Sequence, residues 1–235
     1  MDLKNYYSNS DSKFQFTRQQ ASKFAKNIAG DFNPIHDQDH KRFCVPGDLL
    51  FSLVLHHFGI SEQMKCEFGG MVSDQVALHF TETDNQQINI CDEKEKVYLT
   101  VKRSGNVTKN PELINNLIQA YVGFSGQTFP HILVPLMKQH KMMINPDRPL
   151  VIYNSMLIDI NDLNISNPSL ELVNSKMDID GKRGNVCLQF HFIEDGKVVG
   201  TGEKNMVLSS LRGFEEDKIT QLVETYDLRK NTVTE

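Results

Sequence analysis

Tryptophan is absent from the 235 residues, the cysteines are few and scattered, and no apolar run approaches a membrane span. The longest apolar stretch, Leu49 to Leu55, is interrupted by Ser52 and falls far short of the ~20 residues a spanning helix needs. The opening MDLKNYYSNSDSKF lacks the charged-then-apolar order of a secretory signal. The expectation is therefore a cytoplasmic protein with no membrane span. Excess positive charge is missing too: 25 Lys and Arg against 30 Asp and Glu give a net charge of −5, and the cations are dispersed. A general nucleic-acid binder needs a concentrated basic surface, so nucleic acid is not an expected partner. Cys44, Cys66, Cys91 and Cys187 form no CxxC pair, which speaks against a zinc ribbon or a thioredoxin-like redox site. Reduced and mostly buried thiols are expected instead.

What is present is an ordinary core-forming composition, 39% hydrophobic, enough for one or two cores without disulfide or metal staples. Residues 1–13 and the polar tail from 226 are expected to be loose. Thr17 can cap a helix whose apolar residues Ala21, Phe24, Ala25, Ile28 and Ala29 recur at helical spacing and which ends at Gly30. After Pro46-Gly47, LLFSLVLHHF reads as a helix apolar on nearly every side, which has to be enclosed. The strand-like segments VALHF, QINI and KVYLTVKR supply a curved sheet to enclose it. The same order then repeats: a helix from Pro111 to Tyr121, then strands around LVIYNSMLIDI, LELVNSKMDI, NVCLQFHFI and KVVGTGEKNMVLSS. Glu194-Asp195-Gly196-Lys197 joins the last two as a hairpin. The division is into halves at 14–108 and 109–212, flanked by 1–13 and 213–235. The expected class is α+β, two antiparallel sheets each wrapped around a central helix and joined edge to edge within the chain.

The chemistry concentrates in Gly30-Asp31-Phe32-Asn33-Pro34-Ile35-His36, which sets a carboxylate and an imidazole five positions apart across a bend made by Asn33 and Pro34. An Asp beside a His can share the general-base and general-acid roles toward one water. An Asx-Pro bend with a neighbouring His is also common in loops, so residue types alone do not decide.

The order of the motif does more. Gly30, Asp31, Asn33, Pro34, Ile35 and His36 after a helix, then Pro46-Gly47 opening LLFSLVLHHFG, resemble the MaoC-like, R-specific enoyl-CoA hydratase family of hotdog folds. That family carries S-G-D-x-N-P-[IL]-H, then a P-G or H-G step before its central helix. The resemblance is close over residues 14–60 and rests on pattern elsewhere. It implies a double hotdog and an enoyl-CoA hydratase-like lyase of fatty acid metabolism, acting on an acyl-CoA or acyl-carrier-protein thioester without a cofactor. It implies that Asp31 and His36 activate or deliver the water, Asn33 holds their loop, the Gly47 amide receives the thioester carbonyl, and Ser52 lines the pocket. A helix N-terminus suits that carbonyl, since its free N–H groups can receive developing negative charge.

Several residues depart from the family pattern. Ala29 replaces a serine, Arg42 a small residue, Asp48 an apolar one, and the interval from His36 to Gly47 is short. Asp48 is expected to face solvent, because Leu49, Leu50, Leu53 and Val54 fill the inward directions of the helix. In the second half, Gly126-Gln127-Thr128-Phe129-Pro130-His131 echoes the motif with Gln for Asp and the His one residue early, so one active site per chain is expected. The alternatives are a hotdog thioesterase and a non-catalytic acyl-thioester binder. A metal cluster at His36, Asp37, Asp39 and His40 lacks further ligands at fixed spacing, and no metal is expected. His56 and His57 are expected to end the central helix, and the Lys94 to Arg103 charges to form a solvated strand face. Oligomeric state is left open, a homodimer being allowed.

Overall fold

A computed structural model of the chain describes residues 1–83 and 86–233, so the last two residues of the flanking segment 213–235 lie outside it. Strands β1 (Ser8–Ser10) and β2 (Lys13–Gln15) precede α1 (Arg18–Phe24), whose end widens into a π-helical turn, Ala25–Ala29. Helix α2 (Gly47–Phe58) is followed by β3 (Ile60–Phe68), β4 (Leu78–Thr83), β5 (Gln87–Asp92) and β6 (Val97–Thr108). Then come α3 (Pro111–Gly126), α4 (Thr128–His131), α5 (Leu133–Gln139) and β7 (Met142–Met143). The chain continues through β8 (Val151–Ile160), β9 (Ser169–Asp180), β10 (Arg183–Glu194), β11 (Lys197–Ser209), β12 (Arg212–Gly213) and α6 (Glu216–Val233).

The class is α+β with a large antiparallel sheet; the two expected sheets meet edge to edge and run on as one. Ten strands run in the order β1-β2-β4-β5-β6-β3-β8-β11-β10-β9. The join is β3 to β8, with Gln63 opposite Asp159 and Glu67 opposite Ser155. Left apart, both strands would present unpaired edges; paired, each satisfies the other's N–H and C=O groups. Residues Asp48 to Leu55 of α2 are all buried, so this helix is enclosed as its sequence requires. One core cluster takes in α2, α3 and residues of the sheet from both sides of the join, from Leu78 and Ile88 to Phe190 and Phe192. Thr17 and Gln20 form a reciprocal capping box at the start of α1. Glu194 pairs with Lys197 across the expected hairpin.

Both ends are more ordered than expected. Leu3 and Tyr7 are buried at the start. The tail is α6, where Ile219, Leu222, Val223 and Tyr226 fall on one stripe against a second core cluster or the cavity described below. Among the described residues, no helix is long and apolar enough to cross a membrane.

Candidate active site

Gly30 ends the π-helical turn in the left-handed conformation, φ 63°, and the Asp31 amide donates to the Ala25 carbonyl at 2.8 Å. Asp31 is thereby fixed at its backbone. Its Oδ1 accepts from the Asn33 amide at 2.8 Å, and Asn33 Oδ1 in turn accepts from the Ile35 amide at 3.2 Å, capping the 3₁₀ turn Pro34–His36. The bend read from Asn33 and Pro34 is this pair of nested Asx turns.

His36 Nδ1 lies 2.7 Å from the Cys44 carbonyl. A carbonyl can only accept, so Nδ1 carries the hydrogen and the neutral ring keeps its lone pair on Nε2. That nitrogen is 3.5 Å from Asp31 Oδ2. Two acceptors facing one another at that spacing suit a water that donates one hydrogen to each, the geometry of a general-base pair.

The pair lies on the wall of a cavity of about 430 Å³, whose apolar surface includes Val45, Leu50, Phe68, Val72, Leu150 and Met206. The cavity reaches the start of α2, which has no side-chain cap. Phe68 and Tyr153 stack with ring centroids 4.2 Å apart, and both rings pack close to Gly47. Asn33 and Gly47 line the cavity. Ser52 is corrected: it is fully buried, its hydroxyl donates to the Asp48 carbonyl one turn earlier at 2.7 Å, and it does not reach the cavity.

Asp48 is also corrected. It faces inward, 8% exposed, on the cavity wall. The Ser125 hydroxyl at the end of α3 donates to its Oδ2, and Lys204 Nζ of β11 donates to the Ser125 oxygen. The Lys204 ammonium also lies 4.4 Å from the centre of the Tyr153 ring. Burial pushes the Asp48 carboxyl above and the Lys204 ammonium below their usual ranges, and the attraction between the two opposes both shifts. The inward turn has a partner that α2 does not contain, which is why local reasoning placed the side chain outside. Ser125, Lys204, Tyr153 and the α6 residues were not anticipated. For Lys204 a signal existed: it shares strand parity with the buried Met206 and Leu208, so it had to point inward.

Helix α6 ties the loop down. The Tyr226 hydroxyl lies 3.1 Å from the Gly30 carbonyl and 3.3 Å from the Gly126 carbonyl. Arg229 pairs with Asp37, which Lys26 also contacts at 2.8 Å. Burial pushes the Asp37 carboxyl up, but hydrogen bonds to the two cations outweigh it and hold the group below its ordinary value. A carboxyl depressed in the folded state adds stability above its unfolded pKa and loses it as the pH falls through the folded value. Asp37→Asn is therefore expected to cost stability at pH 7 and little at pH 3, read by urea unfolding at both. A loss of the same size at pH 3 would sink this account.

Gly126 approaches the π-helical turn so closely that a Cβ there would fall 2.0 Å from the Ala29 carbonyl oxygen. Gly126→Ala should displace the Asp31 loop and cost about 1–3 kcal/mol, visible as a lowered melting temperature. In the echo of the motif in the second half, Gly126, Thr128 and Phe129 line the cavity, whereas Gln127 and His131 are exposed and do not border it. Gln127→Ala and His131→Ala should leave any turnover within about twofold; loss of activity in either would move the site. Among the described residues, no group of three or more His, Cys, Asp or Glu is placed to hold a metal.

Residues 1–217 match a family described as "Protein of unknown function (DUF3581)". The chain belongs to the DUF3581 family. No curated protein sequence matches it. Among solved structures, this DUF3581 chain is similar to a "MaoC-like dehydratase", at 9% identity over 88% of this chain and 99% of that one, TM-score 0.44. It is similar to an acyl-CoA thioesterase II, TesB2, from Mycobacterium marinum, at 8% identity over 92% and 100%, TM-score 0.46. A conserved protein of unknown function with a hot dog fold from Alicyclobacillus acidocaldarius shares 7% identity over 89% and 98%, TM-score 0.48. All three TM-scores fall below 0.5.

Proposed function

We propose that the chain is a MaoC-like double-hotdog hydratase, adding water reversibly to a trans-2-enoyl thioester of coenzyme A or a carrier protein. The observation that carries this reading is the Asp31–His36 pair, 3.5 Å apart on the cavity wall with His36 Nδ1 already committed to Cys44. Water held between them would lose a proton to His36 Nε2 as its oxygen attacks the β-carbon, and the same proton would be delivered to the α-carbon. Negative charge then develops on the thioester carbonyl oxygen. The uncapped first turn of α2, with the Gly47 amide, is suited to receive it. The apolar walls suit an acyl tail. The sheet halves β1 to β6 and β8 to β11, joined at β3 and β8, support the double-hotdog reading.

Asp48 favours a second reading, a non-catalytic acyl-thioester binder, because a carboxylate in the first turn of α2 opposes an oxyanion there. Lys204 offsets it through Ser125. Incubating the full chain with crotonyl-CoA and longer enoyl-CoAs, while following enoyl absorbance and free thiol separately, decides between them. Loss of absorbance without thiol is the expected result. Thiol release points to a thioesterase, and binding without either change to the binder.

A further inference from the structure

The short segment 37–42, where Arg42 stands in place of a small residue, has no role in the hydration chemistry. It forms the wall of a second depression, open to solvent and about 420 Å³ in volume, which also takes in Arg229 of α6. Pro34 and Arg229 border both this depression and the cavity, so the two are contiguous. Lys41, Arg42 and Arg229 share the depression with Asp37 and Asp39, and Lys26 reaches Asp37 from α1's π-helical end. Four cations against two carboxylates make a local positive excess on a chain whose net charge is −5. Asp37 is matched by Lys26 and Arg229, whereas the Lys41 and Arg42 side chains have no partner among the described residues. The loop that carries them is held from behind. Arg18 of α1 donates to the Gln38 carbonyl at 2.9 Å and the His40 carbonyl at 3.1 Å, and its guanidinium lies 5.1 Å from the centre of the Phe43 ring. Two carbonyls that would repel an anion are thereby committed to Arg18. The Arg42 amide donates to His40 Nδ1 at 3.2 Å, so the neutral ring carries its hydrogen on Nε2, a further donor in the depression. We infer that this depression binds a phosphate group of the cavity's ligand. A guanidinium can match two phosphate oxygens at once, and a neutral or cationic group would leave Lys41 and Arg42 without a counter-charge.

The inference rests on the acyl-thioester reading above, under which the acyl group lies in the cavity and the sulfur side of the ligand leaves it past Pro34. Phosphate then has two sources: the group that ends the pantetheine arm, common to coenzyme A and carrier proteins, and the nucleotide phosphates of coenzyme A alone. Calorimetric titration of the full chain with hexanoyl-pantetheine, hexanoyl-phosphopantetheine and hexanoyl-CoA separates them. Affinity should rise about tenfold or more where the responsible phosphate is added, at the second ligand for the first source and at the third for the other. In the double variant Lys41→Gln, Arg42→Gln that rise should largely disappear, while the uncharged hexanoyl-pantetheine binds as it does to the wild type. A rise that persists in the double variant places the phosphate elsewhere and overturns the inference. Equal binding of all three thioesters by the wild type overturns it without any variant, and in both cases the acyl-thioester reading stands. An equal loss for charged and uncharged ligands in the double variant would make the two side chains supports of the cavity wall and also overturn it. Failure of all three thioesters to bind the wild type overturns both.

Discussion

Replacing Asp31 with Asn, or His36 with Ala, should lower enoyl-thioester hydration by about 10² to 10⁴ while leaving the melting temperature close to that of the wild type, because positioned acid–base groups contribute on that scale. The two substitutions act differently. Asn at position 31 keeps an oxygen to accept the Asn33 amide, so the loop holds its shape while the charge is lost. Ala at position 36 removes the nitrogen that takes the proton and also the ring that bonds the Cys44 carbonyl, so a small structural cost accompanies it. The double variant should be little worse than either single one, since two groups working on one water act as a unit. The measurement is kcat/KM on crotonyl-CoA for the three variants beside their thermal unfolding. Turnover near the wild-type level in either single variant would falsify the mechanism, and multiplicative losses in the double one would mean the two groups act on separate steps.

Much of the layout that positions this pair was legible in the chain. Helix α2 announced itself because apolar residues on every side leave a helix no choice but enclosure, and α1 because Thr17 and Gly30 bound its apolar stripe. The Asp31 to His36 bend was legible because Asx turns are encoded within a few residues. Strand β3 was passed over although Met64, Cys66 and Phe68 alternate within it, since its polar residues masked the period. Helix α6 was passed over for a related reason: its mean polarity hid a stripe at Ile219, Leu222, Val223 and Tyr226. Which strands make the edge-to-edge join is a different matter: β3 meets β8 across about ninety residues of chain, and no local pattern encodes that choice. The same holds for Asp48. Its inward turn depends on Ser125 and Lys204, which lie 77 and 156 positions away.

That remote partner sets up the last expected result. Lys204→Met removes the ammonium that offsets the buried Asp48 carboxylate, and breaking one side of such a pair costs about 3–5 kcal/mol. The cost should itself depend on pH. Without Lys204, burial drives the Asp48 carboxyl further above its unfolded value, so the unfolded chain releases a proton that the folded chain keeps. A group raised in this way leaves stability highest below the unfolded pKa, and that stability is lost as the pH rises through the folded one, at about 1.36 kcal/mol per pH unit between the two. Lys204→Met should accordingly be damaged more at pH 8 than at pH 5. Adding Asp48→Asn removes the charge that must be buried, so the double variant should recover most of the lost stability and lose the added pH dependence. Urea unfolding of the wild type, both single variants and the double variant at pH 5 and pH 8 closes the cycle. Additive losses at both pH values would mean that the two side chains are not energetically coupled. Lys204 would then be a packing residue whose ammonium stabilises nothing at the start of α2.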